Sequence, residues 1–348
     1  MNDLISKSRK LINRYIAASK TLFKVIGVPD GLMNILLTIE YTNSLDEEDL
    51  YDCRLSYDFD YFVYAKSTKT LMAIRRLLNC DEHCYTEDCY TLIRSIFEGH
   101  LLSRNLRENI DSLPEIKEKL IKQYIMAPLG ESFGLFYKDK SRKILSKDNE
   151  FVSKEVTPRS AASVFDKGYY DLFYPFLCQY SHCSFAVASD YLGKSGFTAN
   201  ENNGNKLLAY TLALFVYSKV FEGIITVEGE DFYDRKHMTS CYDLAYDSIE
   251  LQMNLFSYLI EYYKNTPLTQ SQEIMQLYFG EKNINSSNKK IAKMLMALKD
   301  ALIDPQLSSL DVSEFVNSRF NRKYAEYFVV YILEIMDRCI VLERKYKG

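Results

Sequence analysis

Turn-forming residues are scarce in this chain, and their scarcity limits the folds open to it. Its 348 residues include only 13 glycines and 7 prolines. Folds made of many short strands need frequent tight turns, which glycine and proline favour. Apolar residues instead recur at helical spacing, as in residues 3–27, where Ile12, Tyr15 and Ile16 fall on one side. The sequence therefore predicts an all-α fold.

The predicted helices divide the chain into a large bundle and a smaller part. They cover residues 3–27, 31–43, 57–78, 86–109, 114–124, 206–226, 243–264, 287–302 and 324–346. Pro267 marks the expected boundary, because proline favours a break between helices. We therefore expect a multi-helix bundle over residues 1–265 and a smaller helical C-terminal part over residues 266–348.

Three further local predictions concern the middle of the chain. Residues 127–168 show no clear period and contain Gly130, Gly134 and Pro158, which predicts a long connection or flap. Pro175 is expected to start a helix running to residue 190, because its missing N–H costs nothing in a first helical turn. Residues 193–204 are expected to form a loop. Its Gly-Lys-Ser lacks the upstream glycine and strand of a phosphate-binding loop.

Charge and cysteine content narrow the class of protein. The formal net charge is −4, so a nucleic-acid surface would have to be a local patch. The N-terminus lacks the basic and apolar segments of a signal peptide, which predicts a cytoplasmic protein whose eight cysteines are reduced. The apolar stretches 172–189 and 207–218 are expected to be buried helices, so no membrane association is expected.

Two of the four histidines lie in strongly apolar segments that are predicted to be helical. The first segment is Arg94-Ser-Ile-Phe-Glu-Gly-His100, and the second is Tyr174-Pro-Phe-Leu-Cys-Gln-Tyr-Ser-His182. Arg94 and Glu98 are four residues apart and can pair on a helix. Arg94 and His100 point about 120° apart and would flank a groove.

Small side chains are expected to bring the two segments together. On a helix over residues 175–190, one face carries Cys178, His182, Ala186 and Ser189. We expect this face to pack against residues 86–107. That packing would gather the side chains of Arg94, Glu98, Tyr180 and His182 into one buried polar cluster, since buried charges need partners.

The first segment also resembles a family of enzymes. Arg94, followed by five residues and then His100, is similar to the R-x(4–6)-H pattern of HEPN ribonucleases, which are all-helical proteins of prokaryotic toxin and antiviral-defence systems. The resemblance implies a homodimer with a composite, metal-independent site that cleaves RNA and needs no cofactor. It implies that Arg94 binds phosphate and that His100 acts as acid and base, with Glu98 orienting Arg94.

A second resemblance covers more of the chain. Residues 55–265 are similar to an uncharacterised bacterial helical family with an Arg-Ser-aliphatic-aromatic-Glu helix and a later Tyr-x-x-Leu-Ser-like helix ending near a histidine. The matching residues are Arg94–Glu98, Tyr174, Leu177 and His182, with Cys178 in place of the serine. This resemblance points to Arg94, Glu98 and His182, whereas the ribonuclease pattern requires His100.

Other patterns leave alternatives open. Cys80, His83, Cys84 and Cys89 contain possible zinc ligands, but the paired spacing typical of zinc sites is missing, so no metal is expected. Arg104 and the basic residues of 138–143 are suited to contacting phosphates.

The sequence therefore predicts a HEPN-like endoribonuclease, with His182, Tyr180 and Arg104 in supporting roles. The alternative is a non-catalytic helical module that binds a partner protein or small ligand, in which the polar cluster is structural.

Overall fold

A computed structural model describes residues 1–26, 54–80, 85–109, 123, 136–146, 148–162, 164–182, 184–193, 196–197, 206–227 and 235–265. Its helices are α1 (Asn2–Ile26), α2 (Arg54–Leu78), α3 (Thr86–Asn109), α4 (Pro158–Ala161), α5 (Val164–Ser181), α6 (Lys206–Val227) and α7 (Arg235–Asn265). A 3-10 helix spans Phe185–Tyr191. The strands are β1 (Phe136–Lys138), β2 (Lys143–Ser146), β3 (Phe151–Lys154), β4 (Leu192–Gly193) and β5 (Gly196–Phe197).

Helices dominate the described residues, so the predicted all-α fold is confirmed. Helix α1 matches the predicted span within a residue, and Ile12, Tyr15 and Ile16 are buried on one side of it. Helix α3 begins at Thr86, with Glu87 and Asp88 in its first turn, where acidic groups favour the helix dipole. The periodic apolar pattern located α1, α2, α3 and α6 to within three residues, whereas α7 begins at Arg235, eight residues before the predicted 243.

The chain folds as two compact units that are interleaved along the sequence. The first unit contains Met1–Val25, Ser67–Phe97 and the chain from Val164 onward. The second contains Ile26–Lys66 and Glu98–Ser163. Helices α2 and α3 each contribute one segment to each unit.

Helix α6 is the centre of the first unit. Every residue from Leu207 to Ile225 is buried, as expected for a helix that is mostly apolar around its whole circumference, although Lys219 and Glu222 are among the buried residues. The hydroxyl group of Tyr217 on α6 lies 2.8 Å from the Ser19 hydroxyl of α1 and 2.7 Å from the Thr68 hydroxyl of α2. These buried hydrogen bonds fix α6 against two neighbouring helices.

A buried ion pair joins α6 to α5 within the first unit. Lys219 Nζ lies 3.2 Å from Asp166 Oδ1, and the two side chains are 2% and 1% exposed. The Lys219 ammonium also lies 5.0 Å from the centre of the Phe215 ring. Two charges this far from water are tolerated only because they neutralise each other.

In the second unit, a carboxylate connects the segments from α2 and α3. Asp60 on α2 accepts hydrogen bonds from the Ser103 hydroxyl and, at 3.1 Å, from Arg107 Nε, both on α3. Arg107 Nη2 also donates to Ser103 Oγ at 3.2 Å. Burial raises the pKa of Asp60, although the charge of Arg107 and the hydrogen bonds oppose the rise.

The prediction of an irregular connection over residues 127–168 is wrong for the described part of that range. Strands β1, β2 and β3 form an antiparallel sheet in that order, followed by the short helix α4. The turn between β1 and β2 is stabilised by Asp139, whose carboxylate accepts the backbone N–H groups of Ser141 and Lys143 at 2.8 Å. The strands have only three or four residues each, too few to show a clear alternation.

Two predictions about residues 175–190 are also wrong. Pro175 lies inside α5, which starts eleven residues earlier at Val164. Helix α5 then ends at Ser181, and the chain continues into the 3-10 helix. The predicted helical face of Cys178, His182, Ala186 and Ser189 therefore does not exist as one face.

Several predictions lie outside the described residues. They are the helices over residues 31–43, 287–302 and 324–346, the helix over residues 114–124 apart from residue 123, and the C-terminal part over residues 266–348. For this reason the boundary at residue 265 stays a prediction. The hairpin β4–β5 occupies four residues of the range 192–197, where the sequence predicts a loop from residue 193.

Candidate functional site

Arg94 and His182 meet at the surface of the first unit. Arg94 is on α3, and His182 comes directly after the last residue of α5. Arg94 Nη1 lies 3.1 Å from His182 Nε2. The expected approach of the two histidine-containing segments is therefore present, and it joins Arg94 to His182.

A tyrosine completes this contact. Arg94 Nη2 donates a hydrogen bond to the Tyr174 hydroxyl at 3.2 Å, and the guanidinium carbon lies 5.2 Å from the centre of the Tyr174 ring. The Tyr174 ring is itself stacked on Tyr170, with 4.5 Å between ring centres. Arg94 is therefore oriented by two neighbours on or next to α5, and we call Arg94, Tyr174 and His182 the RHY cluster.

The contact between Arg94 and His182 is a hydrogen bond for one form of the imidazole. An arginine side chain only donates hydrogen bonds, so Nε2 of His182 would be the acceptor. In that form the ring proton is on Nδ1. A neutral imidazole beside a fixed guanidinium is suited to accepting a proton from a group bound to that guanidinium.

The RHY cluster is accessible, and this differs from the buried cluster expected from the sequence. His182 is exposed, whereas Arg94 and Tyr174 are half-buried. The reason is that α5 ends at Ser181, which places His182 beyond the helix rather than on its packed face. An exposed imidazole can reach a large substrate, which a buried one cannot.

Tyr180 has a different role from the one predicted. Its hydroxyl donates a 2.6 Å hydrogen bond to Asp190 Oδ2, and both residues are buried. Its ring packs against Tyr90 of α3, 4.6 Å between centres, and against Phe176 at 5.2 Å. Tyr180 thus connects α5, α3 and the 3-10 helix, while Tyr174 occupies the place beside Arg94.

The remaining predicted site residues lie on α3 within the second unit. His100 is buried, with 4% of its surface exposed. Glu98 and Arg104 are half-buried. Glu98 follows Arg94 by one helical turn, the spacing at which helical side chains are neighbours.

Tyr174 is the member of the RHY cluster that the predicted site lacked. It belongs to the Tyr-x-x-Leu pattern of the sequence, which was the available signal. The predicted helix began at Pro175, so its faces included Tyr180 but not Tyr174. The first eleven residues of α5, which contain Tyr174, were left out.

The described residues give no evidence for a catalytic cysteine or for a metal site. Burial raises the pKa of the Cys241 thiol to about 11, which disfavours the nucleophilic thiolate at neutral pH. Within the described ranges, no three side chains of His, Cys, Asp or Glu gather at one point. His83 and Cys84 of the possible zinc pattern lie outside those ranges.

One described segment, Lys206–Ile225, is long and apolar enough to cross a membrane. It is the whole of α6 except its last two residues, and its apolar window is fully buried in the protein. The protein interior therefore already accounts for its composition.

Comparisons with known protein families, curated proteins and solved structures find no match to this chain.

Proposed function

We propose that this protein is a metal-independent endoribonuclease of the HEPN-like type, acting in a prokaryotic defence or toxin system, with the RHY cluster as its active site. One observation carries the proposal: the imidazole of an exposed histidine lies 3.1 Å from a guanidinium that a tyrosine also holds. The two groups supply phosphate binding and proton transfer, which are the minimum needs of RNA cleavage without a metal.

Arg94 is the phosphate-binding group in this proposal. A guanidinium donates two parallel hydrogen bonds to phosphate oxygens and keeps its charge at every accessible pH. The Tyr174 ring and hydroxyl restrict its orientation. Binding of the scissile phosphate would place negative charge against Arg94 and stabilise the charge that builds up during the reaction.

His182 is the proton-transfer group. Its neutral Nε2 takes the proton from the 2′-hydroxyl, and the 2′-oxygen attacks the adjacent phosphorus. The bond from phosphorus to the 5′-oxygen breaks, and the imidazolium returns its proton to that leaving oxygen. The products are a 2′,3′-cyclic phosphate and a 5′-hydroxyl end, with no net change in protons.

The proposal gives the acid–base role to His182 instead of His100. His100 is 4% exposed, and a ribose–phosphate chain cannot approach it without rearrangement of the helix around it. His182 is exposed and already in contact with Arg94. This assignment agrees with the resemblance to the bacterial helical family, which pointed to Arg94, Glu98 and His182, and it departs from the HEPN pattern, which requires His100.

Cleavage of a defined RNA by the purified protein in EDTA tests the proposal. We expect cleavage of a single-stranded RNA but not of the same sequence with 2′-deoxyribose, because the 2′-hydroxyl is the nucleophile. Mass spectrometry should find 2′,3′-cyclic phosphate and 5′-hydroxyl ends. Cleavage of the deoxyribose substrate, or products with 5′-phosphate ends, would contradict the mechanism.

A non-catalytic module is the competing function. In that case the RHY cluster only holds α3 to α5, and its loss lowers stability without removing an activity. Binding of a partner protein by a chain that cleaves no RNA, with Arg94→Ala markedly destabilised, would favour that function.

A further inference from the structure

The outward face of the β1–β2–β3 sheet carries exposed aromatic rings. Tyr137, Leu145 and Phe151 lie directly opposite one another on the three strands. Opposed residues in antiparallel strands project from the same face of a sheet. Tyr137 is 39% exposed and Phe151 is 64% exposed. With adjacent strands about 4.8 Å apart, the two aromatic positions are about 10 Å apart.

The other face of the same sheet is its packed side. Ile144 and Ser153, which pair with each other, are 7% and 2% exposed. Because side chains alternate along a strand, Leu145 lies on the side opposite to Ile144. The aromatic rings are therefore on the solvent side and are not part of the core of the second unit.

Two lysines share this outward face. Lys143 is directly opposite Lys154, and both are exposed. Like charges placed opposite each other destabilise a sheet. Within the described residues neither ammonium group is in an ion pair, whereas Lys138 and Arg142 pair with Glu155 at 3.1 and 3.9 Å.

The Asp139 carboxylate, in the turn before Lys143, is held by hydrogen bonds within that turn. Asp139 accepts hydrogen bonds from the Ser141 hydroxyl and from the backbone of Ser141 and Lys143. The Ser141 hydroxyl and the backbone N–H groups hold the pKa of Asp139 below its usual range. The nearby charge of Lys143 also contributes to this lowering of the Asp139 pKa. Within the described residues no ion pair joins Asp139 to Lys143 or Lys154, so both ammonium groups can also contact an anion.

We propose that the face formed by Tyr137, Lys143, Phe151 and Lys154 binds single-stranded nucleic acid. Unpaired bases stack on exposed aromatic rings, and backbone phosphates neutralise the two opposed lysines. A duplex does not fit this surface, because its bases are already stacked inside. The inference goes beyond the proposed ribonuclease function, since it concerns binding by the second unit and requires no cleavage.

Fluorescence anisotropy with the full chain tests the proposal. The probe is a fluorescein-labelled 12-nucleotide 2′-O-methyl oligouridine, which has no free 2′-hydroxyl to support cleavage. We expect Tyr137→Ala and Phe151→Ala each to weaken binding about ten-fold. Lys143→Gln together with Lys154→Gln should weaken it and flatten the plot of log K against log salt by about 1.4, because each phosphate neutralised by a lysine adds about 0.7 to the slope.

Matched controls separate this face from general effects. Phe62→Ala removes another exposed aromatic ring of the second unit, on α2, and Lys20→Gln removes an exposed lysine of α1. Both should bind the probe as the wild-type protein does. His182→Ala should also keep this binding, so a failed ribonuclease function and a failed binding face give different results.

A second measurement does not depend on variants folding. A 4-thiouridine oligonucleotide irradiated with the wild-type protein should crosslink to peptides containing Tyr137 or Phe151. The proposal is overturned if crosslinks occur only elsewhere, if the wild-type protein does not bind the probe at 50 mM salt, or if the lysine and aromatic variants bind normally. Equal competition by a duplex, by polyglutamate or by anionic vesicles would also overturn it, because none of these offers unstacked bases.

Discussion

At the scale of single residues, two histidines differ sharply in their surroundings. His182 is exposed and bound to Arg94, whereas His100 is buried on α3. We predict that His182→Ala lowers the free energy of unfolding by about 1 kcal/mol or less, because only an exposed hydrogen bond is lost. His100→Ala should lower it by about 2 kcal/mol or more, because it leaves a cavity in packed surroundings.

Urea unfolding of both variants, followed by circular dichroism, measures this difference. A large loss of stability in His182→Ala would mean that the RHY cluster is a structural element. In that case the competing, non-catalytic function would be favoured.

Asp60 makes a prediction about pH. Burial raises its folded-state pKa above the unfolded value, so the folded protein binds the Asp60 proton more tightly. Its contribution to stability is therefore fully present below the unfolded pKa near 4 and is lost as pH rises through the folded pKa. The stability of wild-type protein relative to Asp60→Asn should fall as the pH is raised from about 4 to 7.

Urea unfolding of the two proteins across this pH range provides the measurement. Asp139→Asn is a useful comparison, because the pKa of Asp139 is shifted in the opposite direction. A wild-type stability that rises relative to Asp60→Asn with increasing pH would contradict the assigned direction.

The sequence allowed part of the site to be predicted at this scale. The approach of Arg94 and His182 followed from placing two apolar helices with polar residues side by side. The sequence did not predict that Tyr174, and not Tyr180, lies beside Arg94. That choice depends on where α5 begins and ends. Helix ends are decided by tertiary contacts, such as the Tyr180–Asp190 hydrogen bond, which a single segment does not reveal.

At the scale of secondary-structure elements, the buried Lys219–Asp166 pair makes the sharpest prediction. Removing one partner leaves an uncompensated charge in the interior of the first unit. We expect Asp166→Ala to lower the free energy of unfolding by about 3–5 kcal/mol. The double change Asp166→Leu with Lys219→Met should cost clearly less, because no lone charge then remains buried.

Chemical unfolding of the two single variants and the double variant gives the coupling between α5 and α6. An Asp166→Ala protein as stable as the wild type would show that water or another group reaches Lys219. The exposed pair Arg14–Asp247, whose side chains are 50% and 51% exposed, is the matched control and should matter little.

Elements with a regular apolar pattern were predictable from the sequence. The long helices α1, α3 and α6 show such a pattern, whereas the 31-residue α7 begins eight residues before the predicted 243. The short strands β1, β2 and β3 show no such period, and their pairing depends on the Asp139 turn. Pro175 favours a helix start, because the first turn is the commonest place of proline in a helix, but α5 accommodates it internally.

At the scale of the whole molecule, the all-α fold could be predicted because glycine and proline are scarce throughout the chain. The interleaving of the two units along the sequence could not be predicted in this way. Helices α2 and α3 contribute to both units, so no single boundary in the sequence separates one unit from the other. Which parts of a helix join which core is decided by contacts between residues that are distant in sequence.

The ribonuclease proposal also predicts the assembly state. The resemblance to HEPN enzymes implies a homodimer, in which each protomer would carry its own RHY cluster. Light scattering after size-exclusion chromatography should then give twice the chain mass of 40.6 kDa. A mass of 40.6 kDa at all concentrations, together with full activity, would contradict the dimer and show that the RHY cluster of one protomer is sufficient.

The central claim is that His182 transfers a proton during RNA cleavage, and one measurement tests it most directly. It compares first-order cleavage rates of a single RNA in EDTA for wild type, His182→Ala and the exposed-histidine control His237→Ala. We predict a loss of about 100-fold or more for His182→Ala and wild-type rates for His237→Ala, with all three proteins folded. An RNA-cleaving wild type that His182→Ala matches in rate, or a wild type that leaves RNA intact, would contradict the claim.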